Sequence, residues 1–323
     1  ISGPHQYEAV VDAVHEAAPP VPHAFVDLVF PSEPIVLFGD NGAGKTNLLE
    51  AISFLAPGKG IRSTHPEEIC RNSQDHWQIS AMADTKMGAA NFDVHYSTEN
   101  HRKIIEFNGA KITNSELANF MNIIWLTPQM EGIFLGPPSD RRKFLDRMVF
   151  ASHPNHAQLI NKYEHQQKER MKILENNPHD SNWLDIVERN MAELALEITE
   201  NRLKSIDRIN NNTRNMDSIF PKAILELESD LELEAEKIAI AFRTNRDKDM
   251  HSGRTHFGPQ RSDMKTYYGN VPAAQCSTGQ QKALLISIII TQQIAHEKSP
   301  ILLLDEIFVH LDETRRKALG EFL

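Results

Sequence analysis

Eight consecutive residues, GDNGAGKT at positions 39–46, have the residue types and spacing of a phosphate-binding loop. Glycine permits the left-handed backbone conformations in which successive N–H groups point at one anion. The glycines of the loop are Gly39, Gly42 and Gly44. Lys45 would reach the β- and γ-phosphates of a nucleoside triphosphate, and the hydroxyl of Thr46 would bind Mg²⁺. The sequence therefore predicts a site for ATP and Mg²⁺.

The segments on either side of this loop fit the same prediction. Residues 35–38, IVLF, predict a short buried strand, and residues 47–55 contain neither Gly nor Pro and predict a helix. A helix that begins at the loop directs N–H groups and the positive end of its dipole at phosphate. We therefore expect strand, loop and helix in that order, with Asn41 and Asn47 also beside the nucleotide. A glycine-rich turn that matches by chance is the alternative.

A second pattern with chemical meaning lies near the end of the chain. Residues 301–304, ILLL, are followed at once by Asp305 and Glu306. The run predicts a buried parallel strand, whose carboxyl end is the edge at which α/β sheets bind ligands. Asp305 would hold Mg²⁺ through water, and Glu306 would accept a proton from the water that attacks the γ-phosphate. A strand that merely ends in two solvated acids is the alternative.

A third motif, CSTGQQK at residues 276–282, precedes an apolar helix pattern over residues 283–291. It resembles the signature motif of ABC-type ATPases, in which a serine and a glycine at a helix start bind the γ-phosphate of ATP held by a second subunit. On this resemblance, Ser277, Gly279 and Gln280 bind the nucleotide of a partner copy. A serine that only caps the helix is the alternative for Ser277.

Composition restricts the remaining possibilities. The 323 residues are 40% apolar and 24% charged, which is ordinary for one large domain or two lobes. No run of eighteen apolar residues occurs and the first residues show no signal pattern, so we expect a cytoplasmic protein without a membrane partner. Cys70 and Cys276 are far apart, which argues against a disulfide framework or a zinc site.

The net charge of −10 means that any contact with DNA must be local. Four basic stretches could provide it, at residues 59–62, 141–143, 168–172 and 202–214. A solvated helix face explains each of them at least as well.

The spacing of the motifs narrows the ABC-type group. Ser277 lies 238 positions after Gly39. The resemblance implies a much shorter separation of these motifs in transporter ATPase domains and a much longer one in structural-maintenance and Rad50-like proteins. Residues 183–210 predict an amphipathic helix about 42 Å long rather than sustained heptads.

Several stretches resemble the bacterial RecF recombination and gap-repair family along most of the chain. They are residues 39–62, 123–130, 141–150, 253–264, 276–285 and 301–316.

The resemblance implies an α/β fold, an ABC-type P-loop ATPase head with an inserted, mainly helical lobe. We place the N-terminal part of the ATPase lobe at residues 21–125, the helical lobe at 126–220, and the C-terminal part of the ATPase lobe at 221–323. The resemblance also implies an ATP-dependent homodimer, binding of double-stranded DNA near single-strand gaps or junctions, slow ATP hydrolysis, and cooperation with RecR and RecO in loading RecA.

Other residues receive roles only through the resemblance. Gln129 stands where the Q-loop glutamine would, as a catalytic or metal-binding group, although a turn residue is the alternative. Residues 310–312, HLD, look like the D-loop at the interface of paired heads. Arg62 could contact phosphate or DNA, or be merely exposed. Three further arginines could either tie the helical lobe down through carboxylates or touch DNA: Arg141, Arg142 and Arg147.

Two departures from the family pattern lead to further expectations. Residues 1–24 do not look like the family's opening strand, and residues 17–20, AAPP, are typical of a linker. The further strand and switch residue of an ABC-type head are not found after residue 312, so we expect a fragment with weak hydrolysis.

Two other functions stay open, a transporter-coupled ATPase and a scaffold in which nucleotide only joins two subunits.

Overall fold

The computed structural model describes residues 9–14, 26–31, 33–62, 65–70, 75–85, 88–294, 300–309 and 311–323. The helices are α1 (Lys45–Ser53), α2 (Pro66–Ile69), α3 (Asn114–Leu117), α4 (Pro138–Phe150), α5 (His156–Asn176), α6 (Ser181–Asn215), α7 (Ala235–Thr244), α8 (Arg246–Ser252), α9 (Thr278–Ile294) and α10 (Glu313–Phe322). The strands are β1 (Ala9–Val14), β2 (Val26–Phe30), β3 (His76–Thr85), β4 (Gly88–Ser97), β5 (Arg102–Phe107), β6 (Ala110–Ile112), β7 (Ile123–Leu126), β8 (Ala223–Glu228), β9 (Asp263–Tyr268), β10 (Val271–Pro272) and β11 (Ile301–Leu304). Three 3₁₀ turns lie at Pro128–Gly132, Pro259–Arg261 and Ala273–Gln275.

The chain folds as two compact units. The first comprises residues 1–127, 301–307 and 319–323, and the second comprises residues 128–300 and 308–318. The first unit contains a six-stranded antiparallel sheet in the order β2-β1-β3-β4-β5-β6. Alternate residues of β3 and β4 pair across the strands and are buried on one face, as in the pair formed by Ile79 and Val94.

A separate parallel pair of strands in the first unit carries the two acids. β7 and β11 run in register from Ile123 opposite Ile301 to Leu126 opposite Leu304. The backbone N–H of Asp305 donates to the carbonyl of Leu126 at 2.9 Å, which extends the ladder by one bond. The parallel strand predicted from the apolar run is confirmed, and Asp305 follows its carboxyl end.

The second unit is built around long helices. α6 spans 35 residues, longer than the predicted 183–210, and its buried face packs against α5 and α7. The residues of that core include Tyr163, Leu174, Leu184, Val187, Met191, Ile198, Ile238 and Phe242. A three-stranded antiparallel sheet, β10-β9-β8, belongs to the same unit. The apolar helix predicted after the signature motif is α9, which is buried along most of its length.

The strand predicted at residues 35–38 is wrong. Over these residues the structure has no ladder bonds, and Val36 and Phe38 are 78% and 92% exposed. A strand forms only by pairing, and none of the described strands pairs with this segment. The preceding Pro31 and Pro34 lack the N–H that a ladder requires, so apolar character alone does not make a strand here.

The start of the chain also differs from expectation. Ala9–Val14 forms β1, which pairs with β2 on one side and β3 on the other, so residues 1–24 do contain a strand. The linker predicted at residues 17–20 lies outside the described residues.

The predicted lobes and the two units have different boundaries. Residues 221–300 pack with the helices rather than with the phosphate loop's unit. The side-chain amide of Asn210 in α6 donates to the carbonyl of Leu225 in β8 at 2.8 Å and accepts its N–H at 2.9 Å. Thr213 and Thr291 join α6 to α9 through a buried hydroxyl contact of 3.2 Å. Whether the predicted lobes act as functional units stays a prediction.

Candidate nucleotide-binding site

The phosphate loop leads directly into the first turn of α1. The N–H of Ala43 donates to the carbonyl of Asp40 at 3.2 Å, which closes a tight turn. Gly42 and Gly44 have φ values of 85° and 90°, in the left-handed region that side chains other than glycine rarely adopt. Gly44 is the N-cap of α1, so the N–H groups and dipole of the helix begin at the loop. This geometry suits a bound phosphate.

Lys45 folds back over the loop that precedes it. Its Nζ donates to the carbonyl oxygens of Gly39 at 2.6 Å and Asp40 at 2.8 Å. The ammonium is therefore held beside the backbone of the loop and brings a positive charge to the place where the loop N–H groups start. A point charge with several donors is what a triphosphate requires there.

Thr46 and Asp305 meet although 259 positions separate them. The hydroxyl of Thr46 lies 3.2 Å from Oδ2 of Asp305. Thr46 belongs to the first turn of α1 and Asp305 directly follows β11, so the fold brings together two of the three side chains that the sequence assigned to Mg²⁺, the third being Gln129. A hydroxyl and a carboxylate are hard oxygen ligands of the kind Mg²⁺ prefers, with phosphate oxygens and water as the others. Among the described residues, no group of three or more His, Cys, Asp or Glu side chains could hold a metal ion.

Glu306 is exposed and adopts an uncommon backbone conformation. Its φ is 52°, in the left-handed region. Non-glycine residues in this region are often found at functional sites. Its predicted role as the proton acceptor stays a prediction.

Arg62 does not extend freely into solvent. Its guanidinium lies 3.0 Å from Oε2 of Glu50 and donates to Oδ1 of Asn47 at 3.0 Å. Burial raises the pKa of Glu50 above its usual value, and the Arg62 charge opposes that rise. Asn47 was predicted beside the nucleotide, and the structure shows in addition that it anchors Arg62 to α1. The sequence offered one sign of this pair, an acidic residue inside the apolar pattern of the helix.

In the second unit, Ser277 and Gln280 form a reciprocal cap at the start of α9. The N–H of Ser277 donates to Oε1 of Gln280 at 2.9 Å, and the N–H of Gln280 lies 3.4 Å from the Ser277 hydroxyl. This is the capping-box pattern. Gly279 follows in the same turn, where an added Cβ would meet nothing within 4 Å. The capping role is thus present, and the predicted role toward a partner's nucleotide stays a prediction.

Gln129 lies in the 3₁₀ turn Pro128–Gly132 and is exposed. It belongs to the second unit, whereas Lys45 belongs to the first. Its catalytic and metal-binding roles therefore stay predictions. His310 of the predicted D-loop lies outside the described residues. Asp312 of the same motif caps α10 by accepting the N–H of Arg315 at 2.9 Å.

A buried lysine that the sequence did not single out lies in α9. Lys282 is 2% exposed, and its Nζ lies 2.7 Å from Glu131 and 2.5 Å from the carbonyl of Val309. It joins α9 to the segment after Gln129 and to the segment after β11. The sequence offered one sign of this residue, its place directly before the apolar run at residues 283–286.

The arginines near residue 141 bind within the protein. Arg141 forms a bidentate pair with Asp263 at 2.7 and 2.9 Å. Arg142 donates to the carbonyl of Ser262 at 2.7 Å. Arg147 contacts the sulfur of Met130, and burial lowers its pKa. Arg141 was expected either to bind a carboxylate within the protein or to contact DNA, and the structure shows the bond to a carboxylate.

These features define a class of protein. A P-loop that opens a helix, a hydroxyl and carboxylate beside it, and a capped signature helix are together those of an ABC-type P-loop ATPase head. The family model described as "RecF/RecN/SMC N terminal domain" matches residues 23–323.

Individual relatives narrow the assignment. The chain is 44% identical over 311 residues to the "DNA replication and repair protein RecF" of Rickettsia akari, covering 92% of this chain and 86% of that protein. It is 45% identical over 303 residues to the RecF of Rickettsia bellii (strain OSU 85-389), covering 90% and 84%. The chain belongs to the RecF family.

Solved structures agree on the fold. The chain is similar to the ATP-bound "recombination mediator protein RecF" of the RecFOR pathway, with a TM-score of 0.82, 21% identity, and coverage of 98% of this chain and 88% of that one. A second structure of that protein, with the nucleotide written ATPrS, gives a TM-score of 0.81, 20% identity, and coverage of 98% and 90%. The predicted fold class is confirmed.

Proposed function

We propose that this protein is an ATP-gated, DNA-binding switch of recombinational repair. The observation that carries the proposal is the contact of Thr46 with Asp305, which brings the start of α1 and the acid after β11 together from distant parts of the sequence. The names of the relatives support the repair role, and the family resemblance supports binding to double-stranded DNA near gaps or junctions.

The proposed site works through the residues described above. Lys45 and the N–H groups at the start of α1 would bind the phosphates, and Thr46 and Asp305 would hold Mg²⁺, Asp305 through water. When bound, Mg²⁺ would neutralise charge on the β- and γ-phosphates. Glu306 takes the proton of the attacking water, with Gln129 assisting, and turnover is slow. The protein then acts as a timed switch rather than as a metabolic ATPase.

A second copy completes the site in this proposal. Ser277, Gly279 and Gln280 of one protomer bind the γ-phosphate held by the other. The capping box leaves a hydroxyl and an amide at the exposed start of α9, where helix N–H groups add to them. Because ATP binds to both protomers at once, nucleotide shifts the equilibrium toward the dimer by mass action. Two-fold symmetry joins the two DNA-binding faces into one.

The partners of the switch follow from the family. We infer that the dimer recruits RecR, and that RecO and RecA act downstream. We place the protein in the cytoplasm. No helix of the described residues is long and apolar enough to cross a bilayer.

The proposal is tested by DNA binding under nucleotide control. Fluorescence anisotropy with a labelled gapped duplex should show tighter binding with Mg-ATP than without it, and Lys45→Met should remove the difference. Binding that ignores ATP in the wild type would refute the switch. ATP hydrolysis that DNA does not stimulate would favour a transporter-coupled role, and absence of single-turnover hydrolysis would favour a scaffold.

A further inference from the structure

An open groove in the second unit lies between α5 and the turn at residues 253–255. Its volume is about 730 Å³. Three cationic side chains line it, Lys168 and Lys172 of α5 and Arg254 of the turn. The other lining residues are His165, Gln167, Glu169, Met171, Glu175, Gly253 and Thr255.

The three cations of this groove differ from three arginines of the same unit that are bound within the protein. Arg141 and Arg202 are bound to buried carboxylates, and Arg142 is bound to a backbone carbonyl. Within the ranges that the structure describes, by contrast, no carboxylate lies at ion-pair distance from Lys168, Lys172 or Arg254. All three are exposed. They are therefore available to an anion from outside.

A buried ion pair fixes the two walls of the groove. Arg170 lies on α5 between the two lysines, is fully buried, and donates to Oδ2 of Asp249 at 2.7 Å. The other oxygen of Asp249 accepts the N–H of His256 at 2.9 Å. The turn that carries Arg254 is thus held against α5 by a contact beneath the groove. Preorganised donors lose little freedom when a ligand binds.

The floor of the groove contains a polar group without a partner. Thr255 is 9% exposed, and its hydroxyl makes no hydrogen bond among the described residues. A buried hydroxyl without a partner is costly to the fold. Because this hydroxyl is closed off from solvent, it is not a ligand group of the groove, whose ligand groups are the three cations.

We propose that this groove binds phosphate groups of the DNA backbone. The inference depends on the proposed function, because it assigns a place to the DNA contact of the same protein. About one helical turn separates Lys168 from Lys172, a rise of about 6 Å, so these two lysines follow one another along the same side of α5, and a phosphate chain can contact both. Glu169 and Glu175 leave the groove with only a small net positive charge, so binding depends on contacts with these three cations.

The test compares two triple variants with the same loss of charge. One carries Lys168→Gln, Lys172→Gln and Arg254→Gln. The matched control carries Arg102→Gln, Lys111→Gln and Arg189→Gln, three exposed cations that do not line the groove. A fluorescein-labelled gapped duplex is titrated by anisotropy with Mg-ATP at several salt concentrations. Each lost phosphate contact lowers the slope of log affinity against log salt by about 0.9.

The groove variant should bind more weakly and lose about 2 to 3 from the salt slope, whereas the control should keep the wild-type slope. Equal losses in the two variants would show an effect of net charge and overturn the groove. If the wild type binds DNA and the groove variant keeps the same salt slope, the groove is not the DNA-binding site, but the proposed function stands. A wild type that does not bind DNA would overturn both.

A further measurement separates this site from a simpler explanation. Inorganic phosphate at the same phosphate concentration should not displace the duplex, and equal displacement would mean that the groove takes single phosphates rather than a backbone.

Discussion

Replacing Arg170 by Met should destabilise the second unit by about 3–5 kcal/mol, the range for breaking a buried ion pair by removing one partner. Arg170 is fully buried and joins three elements. Its guanidinium donates to Glu188 at 2.8 Å, to Asp249 at 2.7 Å and to the carbonyl of Phe242 at 2.8 Å. Met has a similar apolar stem, so the cost arises from the charges left behind.

The structure shows where that cost falls. Glu188 keeps a second cation, because Arg246 also binds it. Among the described residues, the Asp249 carboxylate keeps only the N–H and ring nitrogen of His256, so it is the one left without a full charge partner. A second substitution, Asp249→Asn, removes that charge. The double variant should therefore be more stable than Arg170→Met alone.

Urea titrations followed by the helical circular dichroism signal measure these differences. Lys168→Met on the same helix is the matched control, and because Lys168 is exposed and unpaired it should stay within about 0.5 kcal/mol of the wild type. A loss below about 1 kcal/mol for Arg170→Met, or a double variant less stable than the single one, would refute the reasoning.

Three other outcomes are expected. Thr46→Val and Asp305→Asn should each raise by roughly tenfold or more the Mg²⁺ concentration needed for ATP binding in a fluorescent-nucleotide titration, and wild-type curves would contradict the shared metal site. Arg62→Gln should lower the melting temperature more at about pH 8 than at about pH 5. The substitution removes the charge that holds the raised pKa of Glu50 down, so the pKa rises further, and the buried carboxylate destabilises the fold once the pH exceeds that pKa. Equal losses at the two pH values would count against this. Gly279→Ala should leave the melting temperature unchanged but remove ATP-dependent dimers in light scattering, whereas dimers at the wild-type level would exclude contact in trans.

The sequence predicts motifs that depend on neighbouring residues better than it predicts which strands pair. The loop at residues 39–46 and the strand before Asp305 are predicted because glycine spacing and a short apolar run are local signals. The segment at residues 35–38 has the same apolar character as β11 and is not a strand in the described structure. Composition does not say whether a neighbouring strand is present to pair with it.

Buried charges show the same limit. Arg170, Arg202 and Lys282 lie in helices and are buried, and the partners in these contacts are more than fifty positions away in the sequence. Sequence can mark such a position as unusual, but the partner depends on tertiary structure. The same is true of the groove beside α5, since only the fold brings Arg254 next to the two lysines.

Light scattering on three proteins with Mg-ATP tests the central claim most directly. The wild type should shift toward dimer, Lys45→Met should stay monomeric because its phosphate contacts are lost, and Glu306→Gln should accumulate as dimer because nucleotide binds but is not hydrolysed. Equal dimer fractions for the two variants would contradict an ATP-gated switch.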